Sequence, residues 1–324
     1  MSLTFDPTSM NRRTLCASLA CGAVMLHASP LAAQSEIMEA PEPSSGQLFL
    51  NLFTRLALEV QLNGTRESRF VIDTGAQATS ISDSLAHEMG FASGPPLTIH
   101  AATASSTVPS AVIPTLRVAD KVYANVLAPV FPAASLGTEG LLGLNHLAQF
   151  RLTLDQRRRR ATLGDPASHE PTIEMVGHVI RALSSARLLP VQTRLERGLL
   201  MLDVQVNSVR TTAFLDTGAQ YSVGNLALLN ALSSRAESRP VQLHAVSGPP
   251  IMVNTGPSVG LTMGQRRLSS VPLLYGDLHI MDYLGLNHRP ALMIGADIMG
   301  RFEQVRIDYY NHRISLGQTI RRHK

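Results

Sequence analysis

The chain says the same thing twice, and this repeat constrains the fold more than any other feature. Leu58-Glu59-Val60-Gln61-Leu62-Asn63 returns as Leu202-Asp203-Val204-Gln205-Val206-Asn207. Asp73 lies thirteen residues after Val60, and Asp216 lies twelve after Val204. The two aspartates open identical pentapeptides, Asp73-Thr74-Gly75-Ala76-Gln77 and Asp216-Thr217-Gly218-Ala219-Gln220. Downstream, His100-Ala101 is matched by His244-Ala245. Leu141-Leu142-Gly143-Leu144-Asn145 is matched by Met293-Ile294-Gly295-Ala296-Asp297. Both halves close on a short apolar strand, Ala161–Gly164 and Ile314–Gly317. Order and spacing kept over this length indicate a duplicated domain, each copy with its own core.

Composition permits that arrangement. The 324 residues suffice for about two domains of roughly 150 residues. With 44% hydrophobic and 16% charged residues, each half can bury a core, which excludes a disordered chain. Aromatic residues are only 5% and Trp is absent, so Leu, Ala and Val must do the packing. A net charge of +4 without a dense basic face gives no footprint for nucleic acid.

The periodicities are those of strands. Leu56 to Leu62 and Leu200 to Val206 alternate, as half-buried strands do, whereas Phe70-Val71-Ile72 and Ala213-Phe214-Leu215 are continuous apolar runs suited to central strands. Ser82 is placed to cap a helix over 83–89 that Gly90 ends, and Asn225 to cap one over 226–232. A short helix should follow each of Gly143 and Gly295. The expected fold class is therefore all-β, two β-barrel-like lobes with short helices.

The first 33 residues read as an export signal. Arg12 and Arg13 precede a mostly apolar stretch from Leu15 to Leu26, and Ala32-Ala33 offers a cleavage site before Gln34. Asn11-Arg12-Arg13-Thr14-Leu15 partly resembles a twin-arginine signal, so both export routes stay open. Cys16 and Cys21 both fall in this segment, and a mature chain would hold no disulfide. Ser18-Leu19-Ala20-Cys21 only loosely matches a lipidation site. No later apolar stretch reaches the 18 or more residues of a membrane span, so none is expected. Expected boundaries are a signal over 1–33, a linker over 34–46, lobe 1 over 47–165, a proline-flanked connection over 166–187 and lobe 2 over 188–320.

Asp73 and Asp216 each end a buried strand, where a charged carboxylate is costly unless hydrogen-bonded. Two such carboxyls, one from each lobe, would share one proton. The charged member can then take a proton from water while the neutral member polarises a peptide carbonyl. Gly75 and Gly218 lack a Cβ and let two loops crowd around the carboxyls. Thr74 and Thr217 offer hydroxyls to brace the loops across the lobes, and Ala76 and Ala219 are small enough to fit.

Asp-Thr-Gly-Ala after two apolar residues, with an apolar-apolar-Gly motif far downstream, resembles the active-site pattern of aspartic peptidases. The chain is most similar to retropepsin-type lobes fused in tandem, as the pepsin family fuses its two lobes. The resemblance covers Gln47 to Gly164 and Leu188 to Gly317. It implies Asp73 and Asp216 as the catalytic pair, with Thr74, Gly75, Ala76, Thr217, Gly218 and Ala219 supporting it. It also implies two flap hairpins, one through Ala104-Ser105-Ser106 and one near Ser247-Gly248-Pro249. His100, Ala101, His244 and Ala245 at their bases become candidate substrate contacts. Neither metal nor other cofactor is expected, since no close second ligand accompanies His100 or His244.

Three further features read as structural. Asp155 and Asp308 are a matched pair at strand ends, suited to capping turns. Asp297, matched by Asn145, suits a helix N-terminus. Arg157 to Arg160 read as a solvated hairpin tip, and Arg321-Arg322-His323-Lys324 as a solvated tail. The function expected is an aspartic endopeptidase in the periplasm or secreted, acting as a monomer on peptide or protein substrates. The alternative is a non-catalytic envelope module that holds a peptide or cell-wall fragment in the same cleft. A processing enzyme for one partner protein would share the first chemistry but differ in substrate.

Overall fold

The computed structural model describes residues 56–167, 188–233 and 238–320, together with the backbone of Ser2–Thr4, Glu174–Val176 and Val179–Arg181. The expected export signal from residue 5 onward, the expected linker over 34–46 and the basic tail over 321–324 lie outside the described residues. Strands account for 52% of the structure, so the all-β expectation holds.

The first lobe is a closed barrel. Ala57–Leu62 pairs with Arg66–Ile72, which lies parallel to Gly140–Leu142. That strand meets Ser80–Ser82, which runs parallel to Lys121–Phe131. Lys121–Phe131 pairs with the long strand Ser105–Val118, which returns to Ala57–Leu62 through Val60↔Val118. Closure leaves no edge among these six strands. Ala92–His100 hangs from Ser105–Val118 as a hairpin outside the ring. The interior is filled by side chains such as Leu62, Phe70, Ile81, Ile113 and Leu116, all fully buried.

The second lobe follows the same path but opens. Leu199–Val206, Val209–Leu215, Ala291–Ile294, Val223–Gly224, Leu274–Tyr275, Ile251–Thr255 and Pro240–His244 are neighbours in that order. The strand that closes the first barrel is here split into Ile251–Thr255 and Val259–Met263. The buried ring of Tyr275 explains the break. A Cβ at Gly256 would lie 2.3 Å from it, and Pro257 cannot donate to a ladder. The duplication is still visible in the backbone. Asn63 and Asn207 take φ of 50° and 53°, and Arg159 and His312 take 50° and 47°, at matched turn positions.

The expected caps form. Ser82 Oγ accepts from Leu85 N at 3.1 Å, at the start of the helix Asp83–Glu88. Asn225 Oδ1 accepts from Leu228 N at 2.9 Å, at the start of Leu226–Ala231. Short helices follow Gly143 and Gly295. Alternation fails at the start of Leu199–Val206, where Leu199, Leu200, Met201 and Leu202 are all buried. One face there is covered by the lobe core, and the other borders the cleft through Leu199.

The closing strands of both halves join in one sheet, in the order Arg160–Gly164, Arg151–Asp155, Gln304–Asp308, Arg313–Leu316 and Leu189–Val191. Its centre is an antiparallel pair from different lobes, with Leu154 opposite Val305 and Leu152 opposite Ile307. Asp155 accepts from Arg158 N at 3.0 Å and Asp308 from Asn311 N at 2.9 Å, so both cap their turns as expected. Arg157 and Arg158 are exposed at the hairpin tip between two of these strands. In the interlobe connection, Glu174–Val176 and Val179–Arg181 pair with each other.

Because Leu152, Val305 and Ile307 are fully buried in a sheet that both lobes build, the lobes should unfold as one unit. Ile307→Ala is expected to cost about 3 kcal/mol. Urea unfolding followed by two probes, one per lobe, should show a single transition shifted to lower denaturant.

Candidate active site

Each aspartate sits where a barrel strand leaves the sheet. Arg66–Ile72 carries Asp73, whose N donates to Leu142 O at 3.0 Å, and Val209–Leu215 carries Asp216, whose N donates to Ile294 O at 2.9 Å. The parallel partner strand in each lobe then feeds the glycine motif beneath the loop. Leu144 N donates to Ala76 O and Ala296 N to Ala219 O, both at 2.8 Å. A Cβ on Gly143 would lie 2.4 Å from the backbone of Ala78, and one on Gly295 2.8 Å from that of Tyr221. Only glycine permits the approach.

The two loops meet face to face. A Cβ on Gly75 would lie 2.5 Å from the Asp216 carboxyl carbon, and one on Gly218 would lie 2.4 Å from Asp73 Oδ2. Each carboxyl therefore rests on the glycine of the opposite lobe. Asp73 Oδ1 accepts from Gly75 N and Ala76 N, both at 3.0 Å, and Asp216 Oδ1 accepts from Ala219 N at 3.0 Å.

Below them the threonines interlock. Thr74 N donates to Thr217 Oγ1 at 3.0 Å, and Thr217 N donates to Thr74 Oγ1 at 3.1 Å. Thr74 Oγ1 donates to Leu215 O at 3.1 Å, and Thr217 Oγ1 donates to Ile72 O at 2.6 Å. All four bonds cross from lobe to lobe, and both threonines are buried.

Behind each loop the copies have diverged. In the first lobe Thr79 Oγ1 receives Gly143 N at 3.0 Å, donates to Asn145 Oδ1 at 3.0 Å and hydrogen-bonds His146 Nδ1 at 2.7 Å. Burial pushes the His146 pKa down to about 4, and Tyr123 packs its ring edge-on at 4.3 Å. In the second lobe Ser222 Oγ receives Gly295 N at 2.9 Å and donates to Asp297 Oδ1 at 2.6 Å. Burial pushes the Asp297 pKa up, against these hydrogen bonds and the charge of Arg301. Asp297 thus lies in the first turn of its helix, as expected, and also ties Ser222 to it.

A cleft opens over the pair. Ile99, Phe131, Leu136 and Leu141 line one side, and Leu199, Phe214, Ile280 and Leu284 the other. The two expected hairpins meet above it: Thr103 Oγ1 reaches Ser247 O at 3.4 Å, and the Ser106 and Ser247 hydroxyls hydrogen-bond. Val246 of the second hairpin packs with Ile99 against the first-lobe cluster of Val71, Val108, Phe131, Leu136 and Leu141. Of the candidate contacts, His100, Ala101 and Ala245 line the cleft. His244 does not, its Nε2 lying 3.3 Å from Gln242 Oε1.

His100 corrects one expectation, because it does have a close partner. Its Nδ1 is 3.1 Å from His279 Nε2, and its ring stacks on Tyr283 with centroids 4.0 Å apart. Tyr283 in turn lies under Arg197, and the Arg197 carbonyl accepts from Gln77 Nε2 at 3.0 Å. Sequence reasoning missed His279, Tyr283 and Arg197. The helix that carries the first two, His279–Tyr283, is five residues long, too short for a periodic signal. Among the described residues no cluster of three or more His, Cys, Asp or Glu could hold a metal.

Residues 58–149 match a family model described as "gag-polyprotein putative aspartyl protease", and residues 202–298 match one described as "Aspartyl protease". The matches fall one per repeat and together span more than half of the chain. The chain belongs to the aspartyl protease family. Its two family domains are arranged in tandem, as in a two-lobed retropepsin-like peptidase. Comparison with curated proteins finds no match. No helix among the described residues is long and apolar enough to cross a membrane.

His146 sets a sign for acid stability. Neutral in the folded lobe, it titrates near 6.5 when unfolded, so stability is complete above that pH and falls as pH drops toward about 4. The loss is on the order of 3 kcal/mol from this residue. Urea midpoints at neutral and at acid pH should diverge strongly in the wild type and less in His146→Gln.

Proposed function

We propose that the chain is a single-chain aspartic endopeptidase in which Asp73 and Asp216 jointly activate the water that attacks a peptide carbonyl. One observation carries this reading: each carboxyl is seated on the glycine of the opposite loop, which brings the two acids to one point over a cleft. Backbone N–H groups of Gly75, Ala76 and Ala219 favour a charged carboxylate there, while the closeness of the pair favours one shared proton. The charged member accepts a proton from water as oxygen attacks the carbonyl carbon. The neutral member gives its proton to the carbonyl oxygen, making a neutral gem-diol, which collapses as one hydroxyl proton returns to that carboxylate and the proton taken from water passes to the leaving amine. No covalent intermediate is required.

The substrate would run as an extended strand beneath the paired hairpins, with alternate side chains entering pockets. The walls on both sides of the acids are aliphatic or aromatic, which suits apolar residues around the scissile bond. Both acids belong to one chain, so a monomer suffices. Read as an export signal, the first 33 residues would put its work in the periplasm or outside the cell.

Cleavage of a diverse peptide library by the chain lacking residues 1–33 tests this, beside Asp73→Asn and Asp216→Asn. Wild-type cutting at apolar sites, reduced at least a thousandfold in both folded variants, is the expected outcome. Undiminished cutting by either variant would remove the shared mechanism. Tight peptide binding with no cutting would instead identify the binding module. Mixing the two variants should restore nothing, since a monomer exchanges no aspartates.

A further inference from the structure

The two hairpins that meet above the cleft differ at a matched position that borders it. In the repeat, His100-Ala101-Ala102 corresponds to His244-Ala245-Val246, so Ala102 in the first hairpin stands where Val246 stands in the second. Both residues line the cleft. Val246 crosses to the first lobe and packs, half-buried, against the apolar cluster that includes Val71, Phe131, Leu136 and Leu141. Phe131, Leu136 and Leu141 are also the first-lobe wall of the cleft. The wall that would receive a substrate side chain on that side is thus already in contact with a side chain of the protein.

The residues after Val246 fix it there. The Ser247 carbonyl accepts from Thr103 Oγ1 at 3.4 Å, and the Ser247 hydroxyl hydrogen-bonds that of Ser106. Gly248 follows at a φ of +90°, and a Cβ on it would lie 2.8 Å from the Ala104 Cβ. Glycine at that point lets the second hairpin close against the first. Each time the hairpins come together, the Val246 side chain is delivered to the same wall.

The second-lobe wall is built on the same plan. Its helix His279–Tyr283 lies between Leu274–Tyr275 and Ala291–Ile294, just as Ala133–Leu136 lies between Lys121–Phe131 and Gly140–Leu142. Ile280 of that helix borders the cleft with Leu199, Phe214 and Leu284. Phe214, matched to Val71 by the repeat, is fully buried and offers an aromatic surface without projecting into the space. The first hairpin reaches this lobe through the His100 ring stacked on Tyr283. Two residues on, the side chain that it presents is Ala102, which ends at Cβ where Val246 branches.

We infer that Val246 and Ala102 are specificity-determining residues that make the two sides of the scissile bond unequal: the first-lobe side takes a small apolar side chain, and the second-lobe side a large apolar or aromatic one. This rests on the peptidase reading above and narrows its substrate class to peptides in which a small and a large apolar residue flank the cut. Val246 and a bulky substrate side chain would compete for the same wall, and forcing both in costs strain. One carbon more or less in an apolar pocket changes selection by about tenfold or more. The acids and their threonine brace are nearly symmetric, so the asymmetry of the reaction comes from the hairpins above them and not from the catalytic loops.

The experiment is kcat/KM on variants of the best library peptide with Ala or Phe at each residue flanking the cut. The enzymes are wild type, Val246→Ala, Ala102→Val and the double exchange. The readout is the Phe-to-Ala ratio at each position within one enzyme, which a change in folded fraction cannot move. Wild type should favour Ala at one position and Phe at the other. Val246→Ala should raise the ratio about tenfold at the restrictive position and leave the other within about twofold. Ala102→Val should lower it about tenfold at the permissive position, and the double exchange should reverse both preferences. A wild type with equal ratios at the two positions, or variants that leave both ratios unmoved, overturns the inference while the peptidase reading stands. A wild type that cuts nothing overturns the peptidase reading, and this inference with it.

Discussion

Four hydrogen bonds made by Thr74 and Thr217, two between them and two to backbone carbonyls of the opposite lobe, turn two lobes into one site. Each threonine offers its hydroxyl to the other loop's backbone N–H and to the carbonyl before the other loop's aspartate. Buried away from water, none of these groups could be left unpaired cheaply, since each orphan costs roughly 1–3 kcal/mol. The lobes are thus held in the one relation that seats each carboxyl on the opposite glycine. Everything chemically useful follows from that contact. A loop displaced by an ångström would leave two ordinary carboxylates.

The rest of the fold serves that relation from two sides. Below, the sheet shared by both lobes ties their closing strands together through buried Leu152, Leu154, Val305 and Ile307. Above, the hairpins touch at Ser106 and Ser247, and Val246 reaches into the first lobe's apolar cluster. The apolar walls of the cleft lower the polarity around the acids, which strengthens their electrostatic work. The His100–His279–Tyr283 stack adds a third crossing between lobes, at the base of the first hairpin.

What could be read from the residues was what duplication and short-range rules govern. The repeat located Asp73 and Asp216, the threonines and the glycines, because the same crowded loop demands the same small residues twice. Ser82 and Asn225 announced their helices through capping chemistry that acts over three residues. The merging of both closing strands into one sheet was not legible, since strand partners across some 150 residues leave no local trace. The open second barrel depends on how the Tyr275 ring meets Gly256, a contact of tertiary origin. His279 escaped notice for a related reason: its place beside His100 comes from packing, and the repeat, which highlights sameness, conceals a residue that only one copy has.

The central claim is that the two acids share one proton and work as a unit. The most direct test is the dependence of wild-type kcat/KM on pH, followed from about pH 2 to about pH 8 on one cleaved peptide. A shared pair predicts a bell, with the rate rising as the first carboxyl proton leaves and falling as the second follows. A rate that climbs through a single ionisation and stays high would mean that both acids work fully charged, and would contradict the account.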